Sequence, residues 1–200
     1  MTVRAHILFD TAIGVCALVW GPDGIVGAQL PEGGPEQAGA RLARRFPGAM
    51  AAAEHDLPPV ISEARARIRA LMAGEAVDIA DIPLDLAGLD PFALKVYAVT
   101  RAIPRGETLT YGTVAGRIGA PKEAARAVGQ ALGHNPIPIL IPCHRVLAAG
   151  GGTGGFSARG GIDTKFRILA IEQARTEDEP PSLFDQLPLA IKPQALKTGR

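Results

Sequence analysis

A cysteine followed directly by a histidine is the pair of residues in this sequence best suited to chemistry. Cys143 and His144 end the apolar, proline-rich stretch 136–142, which restricts their mobility. A neighbouring imidazole can take the thiol proton and leave a nucleophilic thiolate. Glu172 can hold the far imidazole nitrogen and fix its tautomer. The sequence therefore predicts an activated cysteine, and the alternative is the inert packing that is usual for buried cysteines.

The remaining cysteine and histidines do not indicate a second reactive site. Cys16 lies in an apolar, strand-like stretch and is predicted to be a core residue. His6, Cys16 and His55 are too few and too scattered for a tetrahedral metal site, so we expect no metal and no cofactor. The glycine run 150–155 lacks a following Gly-Lys-Ser/Thr, which favours a pocket-lining turn over a phosphate loop.

Length and composition limit the class of protein. Two hundred residues with 47% apolar and 20% charged side chains suit one large domain or two small ones, and exclude a disordered chain. The apolar stretches are too short to cross a bilayer, and the N-terminus has no signal-peptide pattern. We therefore expect a cytoplasmic protein with no membrane contact.

The charges divide unevenly along the chain. Residues 1–94 carry 7 basic against 12 acidic residues, residues 95–175 carry 11 against 4, and residues 176–200 carry 3 against 4. A basic segment that follows an acidic one indicates an anionic partner, with nucleic acid as the usual candidate. The alternative is that the two halves neutralise each other across an interface.

The first half of the chain reads as strands followed by helices. Three apolar stretches separated by turn residues predict strands at 3–9, 14–20 and 24–29. Helical spacing of apolar residues then predicts helices near 36–45 and 58–72. A connector at 78–88 marks the boundary between an α/β domain and a second domain.

The second half reads as mostly helical. Asp90-Pro91 predicts a helix start for 91–102, Thr110 caps a short helix through 118, and Pro121 opens a third helix over 122–134. Two short helices joined by a glycine-containing turn form a helix-turn-helix pattern, although an ordinary helical hairpin is the alternative. A last helix, 163–174, carries Glu172.

The third of these helices has two different faces. Apolar residues 124, 128, 131 and 132 form the predicted inner stripe. Arg126 points away from it, with Gln130 one turn further on. Small residues, among them Ala125, would allow this outer face to approach a flat or grooved surface closely.

Several blocks of sequence, in order, resemble the O6-alkylguanine-DNA alkyltransferases. They span 83–174 and comprise PLDL at 83–86, IPRGETLTYG at 103–112, AARAVG at 124–129, GHNP at 133–136, PCHRV at 142–146, GGFS at 154–157, Lys165 and ILAIE at 168–172. The resemblance implies a ribonuclease-H-like α/β domain with a three-stranded antiparallel sheet over 1–82. It also implies a mostly α-helical DNA-binding domain with a helix-turn-helix over 83–175.

The resemblance assigns roles to individual residues. Cys143 is similar to the alkyl acceptor, which is activated through His144, a water and Glu172. Asn135 corresponds to the hinge that ties the recognition helix to the reactive loop. Arg126 corresponds to the finger that fills the space left by the flipped nucleotide.

Further roles concern the DNA surface and the base pocket. Tyr111 is similar to the tyrosine that donates a proton to the leaving guanine, and Ala125 and Gln130 belong to the implied DNA-binding surface. The implied base pocket is formed by Arg145, Val146, Phe156 and Ser157. Phe156 stands where other members have tyrosine, so one hydroxyl at the pocket is missing.

The implied function is direct reversal of DNA damage. The alkyl group of O6-alkylguanine, and of O4-alkylthymine, would pass irreversibly to Cys143 while the base is flipped out from the minor-groove side. The partner is double-stranded DNA, the protein acts as a monomer, and one molecule reacts once. Residues 176–200 are expected to form a flexible tail, in which residues 186–190, Gln-Leu-Pro-Leu-Ala, resemble a sliding-clamp peptide.

Two other classes of function remain as alternatives. A non-catalytic lesion binder of the same general type would have its reactive cysteine replaced, and the presence of Cys143 argues against it. A thiol hydrolase built on Cys143, His144 and Glu172 would turn over and would need no DNA.

Overall fold

A computed structural model describes residues 4–31, 33–149 and 161–174. Three antiparallel strands open the chain: β1 (Ala5–Thr11), β2 (Gly14–Gly21) and β3 (Gly24–Gln29), close to the predicted ranges. Gly14 and Gly24 follow the two tight turns with φ of 123° and 138°. Because a side chain is strongly disfavoured at such angles, glycine fixes where each hairpin turns.

The first sheet has a fourth strand, which corrects the predicted three-stranded antiparallel sheet. Strand β4 (Met50–Ala51) lies parallel to β1, and the strand order is β3-β2-β1-β4. Its ladder consists of the Met50 N–H to Arg4 carbonyl and Ala52 N–H to His6 carbonyl bonds, both 2.9 Å. Two exposed residues carry no alternating pattern, so a strand this short leaves no signal in the sequence.

Two helices cover opposite faces of this sheet. Helix α1 (Pro35–Arg45) places Leu42 against Ala17 and Val19 of β2. Helix α2 (Pro59–Met72) buries a stripe of residues at helical spacing on the other face: Ile61, Ala64, Ile68 and Leu71. Burial of each large apolar side chain in that stripe stabilises the fold by about 1.5–3 kcal/mol.

The connector between the halves runs along the free edge of β3. Ile25 donates its N–H to the Pro83 carbonyl at 3.2 Å and accepts from the Asp85 N–H at 2.9 Å. Asp90 then caps helix α3 (Pro91–Arg101) by accepting the Ala93 N–H at 2.9 Å. Residues at the predicted domain boundary are therefore hydrogen-bonded to the first sheet.

The second half consists mainly of helices. After α3 come α4 (Tyr111–Arg117), α5 (Ala125–Gly133) and α6 (Gly161–Ile171). The predicted third helix begins as a 3₁₀ turn at 122–124 and becomes α-helical from Ala125. The last helix is displaced toward the N-terminus relative to 163–174, so Glu172 lies just beyond its end.

A short parallel β-ladder joins the segment before α4 to the segment after Cys143. Strand β5 (Leu109–Thr110) pairs with β6 (Val146–Leu147), which places the segment after Cys143 beside the start of α4. One apolar core runs through both halves, from Ile7 to Ile168. No helix in the described ranges has the length and apolarity that a membrane crossing requires.

Candidate active site

Cys143 lies at the end of a buried loop. Ile137, Ile139, Leu140 and Ile141 are at most 1% exposed, and Cys143 is 8% exposed. The loop ends in a 3₁₀ turn over Cys143–Arg145, and the Cys143 N–H bonds to the Ile141 carbonyl at 2.8 Å. The sulfur is therefore held in one position with little access to water.

Asn135 ties this loop to the end of α5. Its side-chain amide donates to the Ile141 carbonyl at 2.8 Å, and its side-chain oxygen accepts the Ile137 N–H at 3.0 Å. The two bonds close the loop across its neck, because one joins its beginning and the other its end. This geometry is what the predicted hinge requires.

Ile139, at the middle of the loop, has a backbone conformation that is rare for its type. Its φ is 76°, in the left-handed region that β-branched residues avoid. Such a conformation costs about 1–3 kcal/mol and persists only where the surroundings hold it. The burial of Ile139 and the Asn135 bonds supply that constraint.

His144 and Glu172 meet as predicted, across 28 positions of sequence. His144 Nε2 lies 3.2 Å from Glu172 Oε1, and both side chains are about 1% exposed. Burial alone would raise the pKa of Glu172, but hydrogen bonds from His144 and Arg145 outweigh it and lower the pKa to about 2. Because a carboxylate only accepts, the proton of the neutral imidazole lies on Nε2 and the lone pair on Nδ1.

Arg145 binds the carboxylate of Glu172. Its Nε donates to Glu172 Oε2 at 2.9 Å, Nη2 to Oε1 at 2.7 Å, and Nη1 to the Ile103 carbonyl at 2.6 Å. With these three nitrogens engaged, the guanidinium neutralises the charge of Glu172. The place of Arg145 in the base pocket stays a prediction.

Burial and the neighbouring charges set the protonation state of His144. Burial lowers the pKa of His144, and the charge of Arg145 lowers it further, against the opposing effect of Glu172. A carboxylate without Arg145 would favour the imidazolium. Burial, helped by the charge of Arg145, therefore keeps His144 neutral and able to accept a proton, against the opposing effect of Glu172.

The environment of the sulfur combines opposing effects. Burial raises the pKa of the Cys143 thiol, while a hydrogen bond from Asn135 and the charge of Lys165 lower it. Lys165 is fully buried, donates to the Val146 carbonyl at 2.7 Å, and lies 5.8 Å above the ring of Tyr111. The thiolate thus has a cation and an amide donor in place of water.

Lys165 is the residue of this site to which the sequence analysis gave no role. Residues 165, 168, 169 and 172 form the buried stripe of the last helix, and two of the four are charged. A lysine and a glutamate on an otherwise apolar stripe are costly to bury without partners. The spacing of Lys165 and Glu172 on this apolar stripe is visible in the sequence alone and could have indicated a role for Lys165.

The two short helices place the remaining predicted residues. Tyr111, at the start of α4, is half-buried, and burial and Cys143 raise its pKa. Gly129 of α5 faces the ring of Tyr111, where a Cβ would lie at an ordinary contact distance of 3.7 Å. Tyr97 of α3 donates to the Ala131 carbonyl of α5 at 2.8 Å.

The outer face of α5 is open to solvent. Arg126 and Gln130 are exposed, and Ala125 is half-buried. No hydrogen bond or ion pair joins Arg126 to another residue of the described ranges. Its direction away from the buried residues Val128 and Leu132 agrees with the predicted outer face.

The base pocket is only partly described. Val146 is buried, and its carbonyl accepts a hydrogen bond from Lys165. Phe156 and Ser157, together with the glycine run 150–155, lie outside the described residues. Within the described part of the chain, no three His, Cys, Asp or Glu side chains cluster closely enough to hold a metal ion.

Replacing Lys165 by methionine should raise the pKa of Cys143, because the opposite charge near the thiolate is lost. The pH dependence of iodoacetamide labelling at Cys143 measures this shift. Burial lowers the pKa of Lys165 to about 8, so the natural lysine loses its charge as the pH rises through 8. Lys165→Arg should keep the charge, and its effect on the thiolate, above that pH.

Lys95→Met is the matched control, because it removes a cation from an exposed position on α3. An unchanged labelling profile in Lys165→Met would show that Lys165 does not stabilise the thiolate.

Comparison with known proteins shows the family of the chain. The DNA-binding domain described as that of 6-O-methylguanine DNA methyltransferase matches residues 91–174. A methylated-DNA–protein-cysteine methyltransferase of Mycobacterium tuberculosis is 45% identical over 128 residues, which cover 64% of this chain and 74% of that protein. One from Methanothermobacter thermautotrophicus is 35% identical over 175 residues, covering 87% and 85%.

The fold is that of a solved relative. The crystal structure of Mycobacterium tuberculosis OGT in complex with DNA has a TM-score of 0.69 and 35% identity, and the match covers 84% of this chain and 92% of that one. Fold and sequence agree with these relatives over both halves of the chain. The chain belongs to the family of methylated-DNA–protein-cysteine methyltransferases.

Proposed function

We propose that this protein repairs alkylated DNA by moving the alkyl group of O6-alkylguanine, and of O4-alkylthymine, to its own Cys143. The observation that carries the proposal is the buried Cys143 beside a neutral His144 that Glu172 and Arg145 hold in place. Membership of the family supports the substrate class.

The reaction balances without a cofactor. The Cys143 proton passes to Nδ1 of His144 through a water, and the thiolate attacks the alkyl carbon. A carbon–sulfur bond forms, the carbon–O6 bond breaks, and its electron pair stays on the guanine. Tyr111 donates a proton to the purine ring, so that guanine leaves as a neutral base.

The product explains why one molecule acts once. A thioether has no leaving group that water can displace under mild conditions, so Cys143 is not regenerated. The loop favours in-line attack, because the Asn135 side chain holds the segment that ends at Cys143 in one arrangement. The protein is therefore consumed in proportion to the lesions it repairs.

The proposed approach to DNA uses α4 and α5 as a helix-turn-helix on the minor-groove side. The exposed Arg126 fills the space of the flipped nucleotide, and Ala125 and Gln130 lie along the same face. Flipping costs a few kcal/mol, least for a lesion that pairs poorly. Two layers of helix on the four-stranded sheet support a ribonuclease-H-like first domain over 1–82, followed by the DNA-binding domain over 83–175.

The base pocket is proposed to include Val146, Phe156 and Ser157. The backbone carbonyls of Cys143 and Val146 and the amide of Ser157 read the guanine edge. Lys165 holds the Val146 carbonyl in a fixed direction at 2.7 Å, which supports its use as an acceptor.

Two other partner properties remain proposals. Residues 186–190, which lie outside the described residues, are proposed to contact a sliding clamp, and the repair reaction is proposed to be carried out by a monomer. Deletion of 186–190 should abolish clamp capture without changing repair of a short duplex.

Replacement of Cys143 by alanine should abolish methyl transfer and leave binding to an O6-methylguanine duplex intact, because the sulfur is the proposed acceptor and is buried, whereas the proposed DNA-binding residues Arg126 and Gln130 are exposed. Transfer of a labelled methyl group measures the first property, and fluorescence anisotropy the second. Cys16→Ala is the matched control, since that buried thiol has its pKa raised to about 12 and should take no methyl group. Transfer that persists in Cys143→Ala would exclude the proposed acceptor.

The same assay separates the alternative functions. A lesion binder would bind the duplex and leave the methyl group on the DNA. A thiol hydrolase would release product repeatedly from an ester or amide and ignore the lesion. The exposed Arg126 and the basic second half favour a reaction on DNA over hydrolysis of a small substrate.

A further inference from the structure

We propose that Arg45, in the first half of the chain, is a positioning residue for Cys143 in the second half. It fastens the reactive loop to the first sheet through the Pro136 carbonyl. The kinetic part of the test rests on the proposed alkyl transfer, and a second measurement is independent of it.

The guanidinium of Arg45 spans two carbonyls from different halves. Nη1 donates to the Ala28 carbonyl at 3.0 Å, and Nη2 donates to the Pro136 carbonyl at 2.9 Å. The Ala28 N–H also donates to the Pro136 carbonyl, at 3.0 Å. Both acceptor sites of that oxygen are therefore occupied by donors from the first half.

Pro136 is the residue through which the hydrogen bond from Arg45 acts on the reactive loop. It follows the hinge Asn135, and, as a proline, it has only a carbonyl with which to bond. From there, hydrogen bonds lead to the sulfur: Ile137 to the Asn135 side chain, Asn135 to the Ile141 carbonyl, and the Cys143 N–H to that same carbonyl. Each of these bonds is 3.0 Å or shorter.

The loop needs an anchor outside itself because it holds strain. Ile139, with φ of 76°, tends to return to an ordinary conformation, and its movement would displace Ile141 and Cys143. Asn135 closes the neck of the loop, but both ends of that closure belong to the same segment. Arg45 and Ala28 fix the neck to a separate, rigid element, the edge strand β3.

The fork geometry is specific to arginine at this position. Arg45 is the last residue of α1, and its guanidinium lies 5.2 Å from the centre of the Phe46 ring. A planar guanidinium reaches two carbonyls at once, whereas a lysine ammonium on a single stem acts as a point charge. Arg44, its neighbour, is exposed and bonds to no other described residue, so it supplies a matched control.

The test compares Arg45→Met, Arg45→Lys and Arg44→Met. We expect Arg45→Met to slow methyl transfer at saturating duplex, and reaction with free O6-benzylguanine, about tenfold, because the loop no longer holds the sulfur in line. Its affinity for unmodified duplex should match that of Arg44→Met, which loses the same charge. Arg45→Lys should recover only part of the rate.

Hydrogen exchange gives the readout that is independent of transfer. The amides of Ile137, Ile141 and Cys143 should exchange faster in Arg45→Met than in Arg44→Met, while those of β1 should not change. Equal rates and equal exchange in the two methionine variants would overturn the proposal, as would a lowered melting temperature with unchanged transfer. If the natural protein transfers no methyl group, the proposed function fails, and the exchange comparison alone decides the role of Arg45.

Discussion

Replacing Glu172 by glutamine should slow methyl transfer about a hundredfold or more and lower the free energy of unfolding by about 3–5 kcal/mol. Glu172 is fully buried and accepts hydrogen bonds from both His144 and Arg145. A glutamine of the same shape leaves the Arg145 charge buried without a counter-charge. It also removes the negative group that stabilises the imidazolium formed when Cys143 gives up its proton.

The double variant Glu172→Gln/Arg145→Met separates the two effects. Removing both charges should restore much of the stability, since neither is then left unpaired, but the transfer rate should stay low because His144 has lost its partner. Glu107→Gln, on an exposed turn, is the control for the loss of one acidic group. Full transfer by Glu172→Gln under conditions where it is folded would contradict the role of this carboxylate.

The lowered pKa of Glu172 predicts that the protein loses stability in acid. The pKa of this carboxyl falls from 4.5 to about 2 on folding, so its contribution is complete above pH 4.5 and is lost as the pH falls toward 2. The shift corresponds to about 3 kcal/mol, at 1.36 kcal/mol per unit. The Glu172→Gln variant should lack this part of the pH dependence in urea titrations.

Arg126→Ala should slow transfer from duplex DNA about 10- to 100-fold and leave the reaction with free O6-benzylguanine unchanged. Arg126 is exposed on the first turn of α5, far from the buried network around His144, so its loss should affect base flipping and not the sulfur. The defect should shrink when the lesion is in single-stranded DNA, because no base pair then has to be opened.

Arg69→Ala controls for the loss of one positive charge, since Arg69 is exposed on α2 in the first half. The salt dependence of binding adds a second readout, because loss of a DNA-contacting cation lowers the slope of log affinity against log salt by about one. Equal losses of the free-base and duplex reactions in Arg126→Ala would show that Arg126 acts on the chemistry itself.

The local features of the fold were predictable from sequence. Apolar stretches separated by turn residues gave β1 to β3 within about two residues, and Asp90 and Thr110 marked the starts of α3 and α4 through side-chain caps that the structure contains. These features depend on neighbouring residues, which a sequence displays directly. Strand β4 was missed because two exposed residues pair with β1 only through their backbone.

The site was predictable where a residue type has one plausible use. Cys143, His144 and Asn135 fall in a single segment, and Glu172 was joined to them because a histidine base needs an acceptor. The ion pair of Arg145 with Glu172 was not foreseen, and Lys165 and Arg45 received no role. Their partners, Glu172, Val146 and Pro136, are 19 to 91 positions away along the chain. Only the packing of the helices brings such pairs together.

The mass of the intact protein after incubation with a duplex that contains O6-methylguanine tests the central claim most directly. We predict a gain of one methyl group per molecule, located by peptide mapping on Cys143 and not on Cys16, with guanine restored in the DNA in equal amount. An unchanged protein mass beside restored DNA, or repair of many lesions by one molecule, would contradict the account.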